Sequence, residues 1–157
     1  MRFFLLVGFL LIGFIPSISS YFVTRNKEWY DGILKPFFTP PDYLFGIIWP
    51  FLFFILGLSG YLMWNTGDKR TRKIYTCLFL ANTFLLSLWN FLFFELKTIS
   101  GALLVLLFIL VLALVLHTII KKYFRSFSKL FLLYVCWIFF AFYLNLSILV
   151  LNYEHSF

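Results

Sequence analysis

Five stretches of this 157-residue chain, residues 3 to 24, 43 to 67, 74 to 94, 98 to 120 and 130 to 153, contain no Asp, Glu, Lys or Arg. Each runs for 21 residues or more, and about 20 residues of helix cross the hydrocarbon of a bilayer. Leu, Phe and Ile fall on every face of these stretches instead of alternating with polar residues, which argues against membrane strands. With 63% hydrophobic and 12% charged residues, the composition is that of an integral membrane protein. The reading is all-α: an integral membrane bundle of five transmembrane helices in one domain, 1–157. The helices are predicted near 3–23, 41–64, 74–95, 99–120 and 130–152, with an aromatic, proline-rich first loop capping an interior pocket.

The basic residues orient this bundle. Arg2, the 65–73 loop (Lys69, Arg70, Arg72, Lys73) and the 121–129 loop (Lys121, Lys122, Arg125, Lys129) hold nine of the 13. The positive-inside rule then puts the N-terminus in the cytoplasm and the C-terminus outside; the membrane is expected to be the cytoplasmic (inner) one. The net charge of +7 reports topology, and nucleic-acid binding is not expected, because the basic loops are short helix connectors without polar surroundings. An alternative for residues 1–19 is a cleaved signal peptide ending near Ser17-Ile18-Ser19; it changes the helix count and not the orientation. Cys77 and Cys136 have no C-x-x-C partner and read as small core residues. His117 and His155 lack a second ligand at helical spacing, so no metal site is expected.

Between the first two spans lies WYDGILKPFFTPPDYLFGIIW, Trp29 to Trp49. Pro36, Pro40 and Pro41 fix φ and remove backbone donors, so most of this segment cannot be one helix and must fold as a shaped cap at a membrane face. Thr39 reads as the N-cap of the second helix, with Asp42 against its positive dipole. Pro50 removes the bond to the Gly46 carbonyl and is expected to kink that helix beside Trp49.

At helical spacing Trp49, Phe53, Gly57, Gly60 and Trp64 share one side of the second helix. Asn82, Leu86, Trp89 and Phe93 form a stripe on the third, with Asn90 displaced, and Tyr134, Trp137, Ala141 and Asn145 form one on the fifth. Intramembrane asparagines avoid lipid, so both stripes are expected to face the interior, where each Asn serves either ligand contact or interhelical hydrogen bonding. An interior of Trp, Phe and Tyr with few amides and no charges suits a large, flat, conjugated or sterol-like ligand and suits ions badly.

Several of these residues, in this order, resemble the tryptophan-rich sensory protein and translocator protein family (TspO/MBR): Trp29-Tyr30, Leu34-Lys35-Pro36, Pro40-Pro41, Phe45, Trp49 with Leu52-Phe53, Gly57-x-x-Gly60-Tyr61-x-x-Trp64, Asn82, Phe93-Phe94 around Trp89, and Trp137 through Asn145. The resemblance covers nearly the whole chain. It implies a five-helix bundle, often a homodimer, that binds porphyrins and in some members cholesterol or isoquinoline carboxamides. It places Tyr30, Trp49, Phe53, Trp89 and Trp137 in the pocket, and Trp49 and Trp137 in the light-dependent oxidation of protoporphyrin IX attributed to some bacterial members. Three departures stand out. Leu86 replaces a frequent pocket Asn, Phe37 and Phe38 replace frequent Trp residues, and Tyr153 is followed by Glu154 and His155 where a sterol motif needs Lys or Arg.

The leading expectation is therefore a protein that senses, carries or disposes of tetrapyrroles, with membrane lipid as its surroundings and no required cofactor beyond the porphyrin ligand. Its ligand-binding residues are expected to be Tyr30, Lys35, Pro36, Pro40, Pro41, Trp49, Phe53, Asn82, Trp89, Trp137, Ala141 and Asn145, with Lys35, Arg25 or Lys27 meeting the propionates. The rivals are porphyrin photo-oxidation through Trp49 and Trp137, and a non-catalytic lipid- or sterol-binding scaffold. No acid–base pair or nucleophile supports conventional catalysis.

Overall fold

A computed structural model describes residues 2–66 and 68–153. Its helices are α1 (Arg2–Ile18), α2 (Ser20–Arg25), α3 (Lys27–Gly32), α4 (Asp42–Thr66), α5 (Lys69–Asn90) with a π-helical extension (Phe91–Glu95), α6 (Ile99–Tyr123) and α7 (Arg125–Leu151). Five segments are long and apolar enough to cross a membrane: Arg2–Arg25, Asp42–Asn65, Lys69–Glu95, Ile99–Tyr123 and Arg125–Leu151. Around the bundle the packing order is α1, α4, α7, α6, α5 and back to α1.

The ends of these helices follow local chemistry. Asp68 caps α5, its carboxylate accepting from the backbone N–H of Arg70 (3.0 Å) and Thr71 (2.9 Å), which is why this helix begins five residues before the expected position. The expected cap Thr39 does not start α4. Its hydroxyl donates to the Pro36 carbonyl at 2.7 Å, closing a turn through Phe37 and Phe38, and α4 begins at Asp42 with the Pro41 carbonyl accepting from Leu44 N–H. The first span also differs from a single helix over 3–23. It breaks at Ser19, whose N–H bonds to the Pro16 carbonyl at 3.1 Å in a tighter turn. Two short helices follow, α2, which completes the first span and packs against the π-helical extension of α5, and α3.

Close approach between α1 and α4 depends on glycine. A Cβ on Gly13 would lie 2.9 Å from Gly57 Cα, and one on Gly57 would lie 2.9 Å from Leu10 Cα and from the Phe9 carbonyl oxygen. These small residues let two backbones touch where a larger side chain would hold them apart. Toward the basic-loop end the core is filled by Phe79, Phe131, Tyr75 and Tyr134, all fully buried. The Tyr75 hydroxyl donates to Ser59 Oγ at 2.7 Å and the Tyr134 hydroxyl donates to Asn82 Oδ1. Cys77 and Cys136 are not core residues: both lie on exposed helix faces. Cys77 lies two residues from both Tyr75 and Phe79, and Cys136 two residues from both Tyr134 and Ile138, so each points away from those buried faces.

Candidate functional site: an aromatic cavity beneath the first loop

At the first-loop end the same helices enclose a cavity of about 460 Å³. Its walls come from Pro16 and Ser17 of α1, Ser20, Val23 and Thr24 of α2, Lys27 and Tyr30 of α3, Asp42, Phe45, Gly46, Trp49, Pro50 and Phe53 of α4, Trp89, Asn90, Phe93 and Phe94 of α5 and its extension, and Ala141, Leu144, Asn145 and Ile148 of α7. The π-helical turn matters here. Its Leu96 N–H reaches back five residues to the Phe91 carbonyl, and the wider turn leaves consecutive Phe93 and Phe94 both buried against the cavity.

Trp49 sits at the centre of the aromatic wall. Its ring centroid lies 5.5 Å from Phe53, 5.8 Å from Trp89 and 6.4 Å from Trp137, the last at 90°. Trp89 is oriented by a hydrogen bond from its indole Nε1 to Asn145 Oδ1 at 3.2 Å, while Asn145 Nδ2 donates to the Ile99 carbonyl at 3.1 Å. Asn145 thus holds an indole in place and ties α7 to the start of α6.

Of the twelve ligand-binding residues expected from sequence, Tyr30, Trp49, Phe53, Trp89, Ala141 and Asn145 line this cavity. Trp137 stands behind Trp49, edge-on to Phe45 at 6.0 Å and tilted against Phe140 at 5.3 Å, with its indole N–H buried and meeting no acceptor. Asn82 lies deeper, where it accepts from Tyr134 and donates to the Ile109 carbonyl at 3.3 Å, joining α5, α6 and α7. Lys35, Pro36, Pro40 and Pro41 belong to the loop and do not line the cavity. Lys35 instead lies over the Tyr30 ring, 4.0 Å from its centroid.

Polar pins fix the loop above the cavity. Asn90 Nδ2 donates to Ser19 Oγ at 2.7 Å, where the first span breaks. Glu95 receives Arg25 at 3.1 Å and Asn26 Nδ2 at 2.9 Å. Asn152 accepts from the Leu34 N–H at 3.0 Å and donates to the Leu34 carbonyl at 2.9 Å. Rings complete the seal: Trp29 meets Phe93 edge-on at 5.6 Å, and Phe38 stacks on Tyr143 at 5.4 Å. Sequence reasoning missed Glu95, Asn152 and the α1–α2 wall. The wall had a signal, since Ser17, Ser20 and Thr24 fall at i, i+3 and i+7 of an otherwise apolar run.

At the mouth, Lys27 Nζ contacts Asp42 Oδ2 at 2.6 Å and Asp31 Oδ1 at 3.0 Å. The hydrogen bonds that Lys27 donates to Asp42 and Asp31 raise its pKa, and the Lys27 ammonium lowers that of Asp31, so each charge favours its partner's ionised form. Burial pushes the Tyr30 hydroxyl up to about 12, which keeps it a neutral donor. Among the described residues no group of three His, Cys, Asp or Glu is placed to hold a metal ion.

A model of the TspO/MBR family matches residues 4–151 of this sequence. The chain belongs to the TspO/MBR family. It is 39% identical over 150 residues to the tryptophan-rich protein TspO of Archaeoglobus fulgidus, covering 94% of each chain. It is 29% identical over 145 residues to the tryptophan-rich protein TspO of Chlorobaculum tepidum, covering 91% of this chain and 90% of that one. The translocator protein of Homo sapiens is 30% identical over 63 residues, 37% of either chain. As a TspO/MBR membrane protein, the chain presents an aromatic cavity assembled from four of its five spans and the helical part of the first loop.

Proposed function

We propose that this protein binds a flat, conjugated tetrapyrrole such as protoporphyrin IX in the aromatic cavity, and that it senses, carries or helps dispose of that pigment. The observation that carries this reading is the cavity wall itself, where Trp49, Trp89, Phe53, Phe93 and Phe94 converge with few polar groups among them. Such faces favour an extended π-system over an aliphatic ligand through stacking and dispersion. A volume of about 460 Å³ falls within the range of roughly 300–1,000 Å³ typical of small-molecule sites. The macrocycle would lie with its faces against the indoles. Relatives named a sensory protein, in Cereibacter sphaeroides, and a translocator protein, in Homo sapiens, agree with a ligand-handling role.

Protoporphyrin IX should quench the tryptophan fluorescence of the purified protein saturably. Trp49→Phe and Trp89→Phe should each weaken binding by about 0.5–1.5 kcal/mol, the size of an aromatic pairing term, and Trp137→Phe by less, because Trp137 lies behind the wall. Quenching that rises linearly without saturation rejects the reading. The contacts linking Trp49 to Trp89 and Trp137 favour a second reading, in which light and dissolved oxygen destroy the bound pigment with Trp49 as a redox partner. Loss of the Soret band at the same rate in Trp49→Phe, at equal occupancy, rejects that one alone.

A further inference from the structure

Lys27 is the one cation among the described cavity-lining residues, and it is already engaged by two carboxylates. The other cations near the first loop are engaged elsewhere. Arg25 pairs with Glu95 at 3.1 Å, Lys35 lies 3.7 Å from Asp31 and over the Tyr30 ring, and Lys97 sits 5.9 Å from the Trp29 ring centroid. Asp42 shares the cavity rim with Lys27. It stands in the first turn of α4, where the helix dipole favours a carboxylate, so it is a fixed competitor for the ammonium group.

We propose that Asp42 is a specificity-determining residue: by occupying Lys27, it sets the cavity against carboxylate-bearing ligands relative to uncharged ligands of the same shape. This rests on the reading of the cavity as a tetrapyrrole site. An ammonium has three donors, and two are taken by Asp31 and Asp42. A ligand carboxylate approaching Lys27 must displace Asp42 or share the ammonium with it, and in either case it meets like charge at close range. An esterified or otherwise neutral edge meets no such opposition. Both side chains of the pair are about half exposed, so the effect is of the size of a surface ion pair and is screened by salt.

The experiment compares protoporphyrin IX with its dimethyl ester, titrated by tryptophan quenching at neutral pH and low salt in an uncharged detergent. The proteins are wild type, Asp42→Asn, Lys27→Met and the double variant, each checked by thermal unfolding. Asp42→Asn should bind the free acid about two- to fivefold more tightly than wild type, leave the ester unchanged, and lose its gain in high salt. The double variant should show no gain over Lys27→Met. An unchanged ratio of acid to ester affinity in Asp42→Asn, with the ester still binding saturably, overturns the role of Asp42 and leaves the tetrapyrrole reading standing. A gain that persists without Lys27 also overturns it, since the effect would then be a general field. Failure of both pigments to bind wild type overturns the tetrapyrrole reading and this inference together.

Discussion

Replacing Gly57 by Ala tests whether the α1–α4 contact sets the shape of the cavity. The added methyl would sit 2.9 Å from Leu10 Cα and from the Phe9 carbonyl oxygen, and 3.2 Å from Leu10 Cδ2. Two of those three atoms are backbone, so rotating a side chain cannot relieve the clash and the helices must separate by roughly half an ångström or more. Overpacking of this kind costs about 1–3 kcal/mol. On the scale of 157 residues, where about 1 kcal/mol moves Tm by about 2–4 °C, that is a fall of about 2–12 °C. Gly8→Ala is the matched control, because nothing lies within 4 Å of its added methyl and alanine is the better helix former by about 1 kcal/mol; it should leave Tm unchanged or raise it. Thermal unfolding in detergent, followed by circular dichroism, reads both. Pro16 and Ser17 lie one turn from Gly13, and Phe53 lies one turn from Gly57, so the same separation should loosen the cavity and weaken porphyrin binding. If Gly57→Ala matches Gly8→Ala in both Tm and affinity, the glycine contact does not govern the site.

Asn152→Ala removes both hydrogen bonds to the Leu34 backbone and should lower porphyrin affinity by about 0.5–2 kcal/mol by loosening the loop, read by quenching titration; unchanged affinity would take the pin out of the binding account. Asp68 is held well below the usual carboxylate range, at about 2, by the Thr71 N–H and hydroxyl, Tyr123 and the Arg70 N–H. Because its folded pKa is depressed, its contribution is complete above the unfolded value near 4 and is lost as pH falls toward 2; Tm measured against pH should fall less steeply across that window in Asp68→Asn than in wild type. The nine-to-four distribution of basic residues predicts that a reporter fused after Phe157 is extracytoplasmic and one in the 65–73 loop cytoplasmic, and the reverse pattern in protease-protection assays would invert the orientation.

The spans were legible because a bilayer imposes length and charge limits that a sequence cannot disguise. Periodicity also grouped Trp49, Phe53, Gly57 and Gly60 on one face of α4, but it carries no information on depth. The structure divides that face by height, the aromatics against the cavity and the glycines against α1. The asparagines show the same limit. Asn82, Asn90 and Asn145 all face inward, yet Asn82 bridges helices in a filled region, Asn90 pins the break at Ser19 and Asn145 orients Trp89. Their roles depend on which tertiary partner lies opposite, and a single sequence does not state that. The break after Ile18, helices α2 and α3, and the π turn were illegible for a related reason. Their supports, Asn90, Glu95 and Asn152, are distant in sequence and lie in stretches that read as ordinary helix ends. Cys77 was legible in principle, since the inward stripe of Asn82, Leu86, Trp89 and Phe93 continues at the same spacing through Phe79 and Tyr75 and passes Cys77 by.

The two ends of the bundle differ in how their interiors are filled, and the magnitude of that difference bears on what occupies the cavity in a membrane. Tyr75, Phe79, Phe131 and Tyr134 close the basic-loop end completely, whereas the first-loop end leaves about 460 Å³. At about 24 cal/mol per Å³, a closed and dry cavity of that size would cost on the order of 11 kcal/mol, comparable with an entire folding free energy of about 5–15 kcal/mol. The cavity is not closed, however: it has an open flank, where Ser20, Gly46 and Pro50 are exposed between α1–α2 and α4. If lipid meets that flank in a bilayer, an acyl chain should enter the cavity when no pigment is bound and lie against Trp49. A chain retaining Trp49 as its only tryptophan, reconstituted with brominated lipids, should be strongly quenched. Gly46→Leu adds bulk at a position where nothing lies within 4 Å of a new Cβ; it should reduce that quenching and raise Tm by filling the space. Equal quenching with and without the plug would mean that lipid does not reach Trp49 through this flank, and the cost of the cavity would have to be met by water or by the protein closing around it.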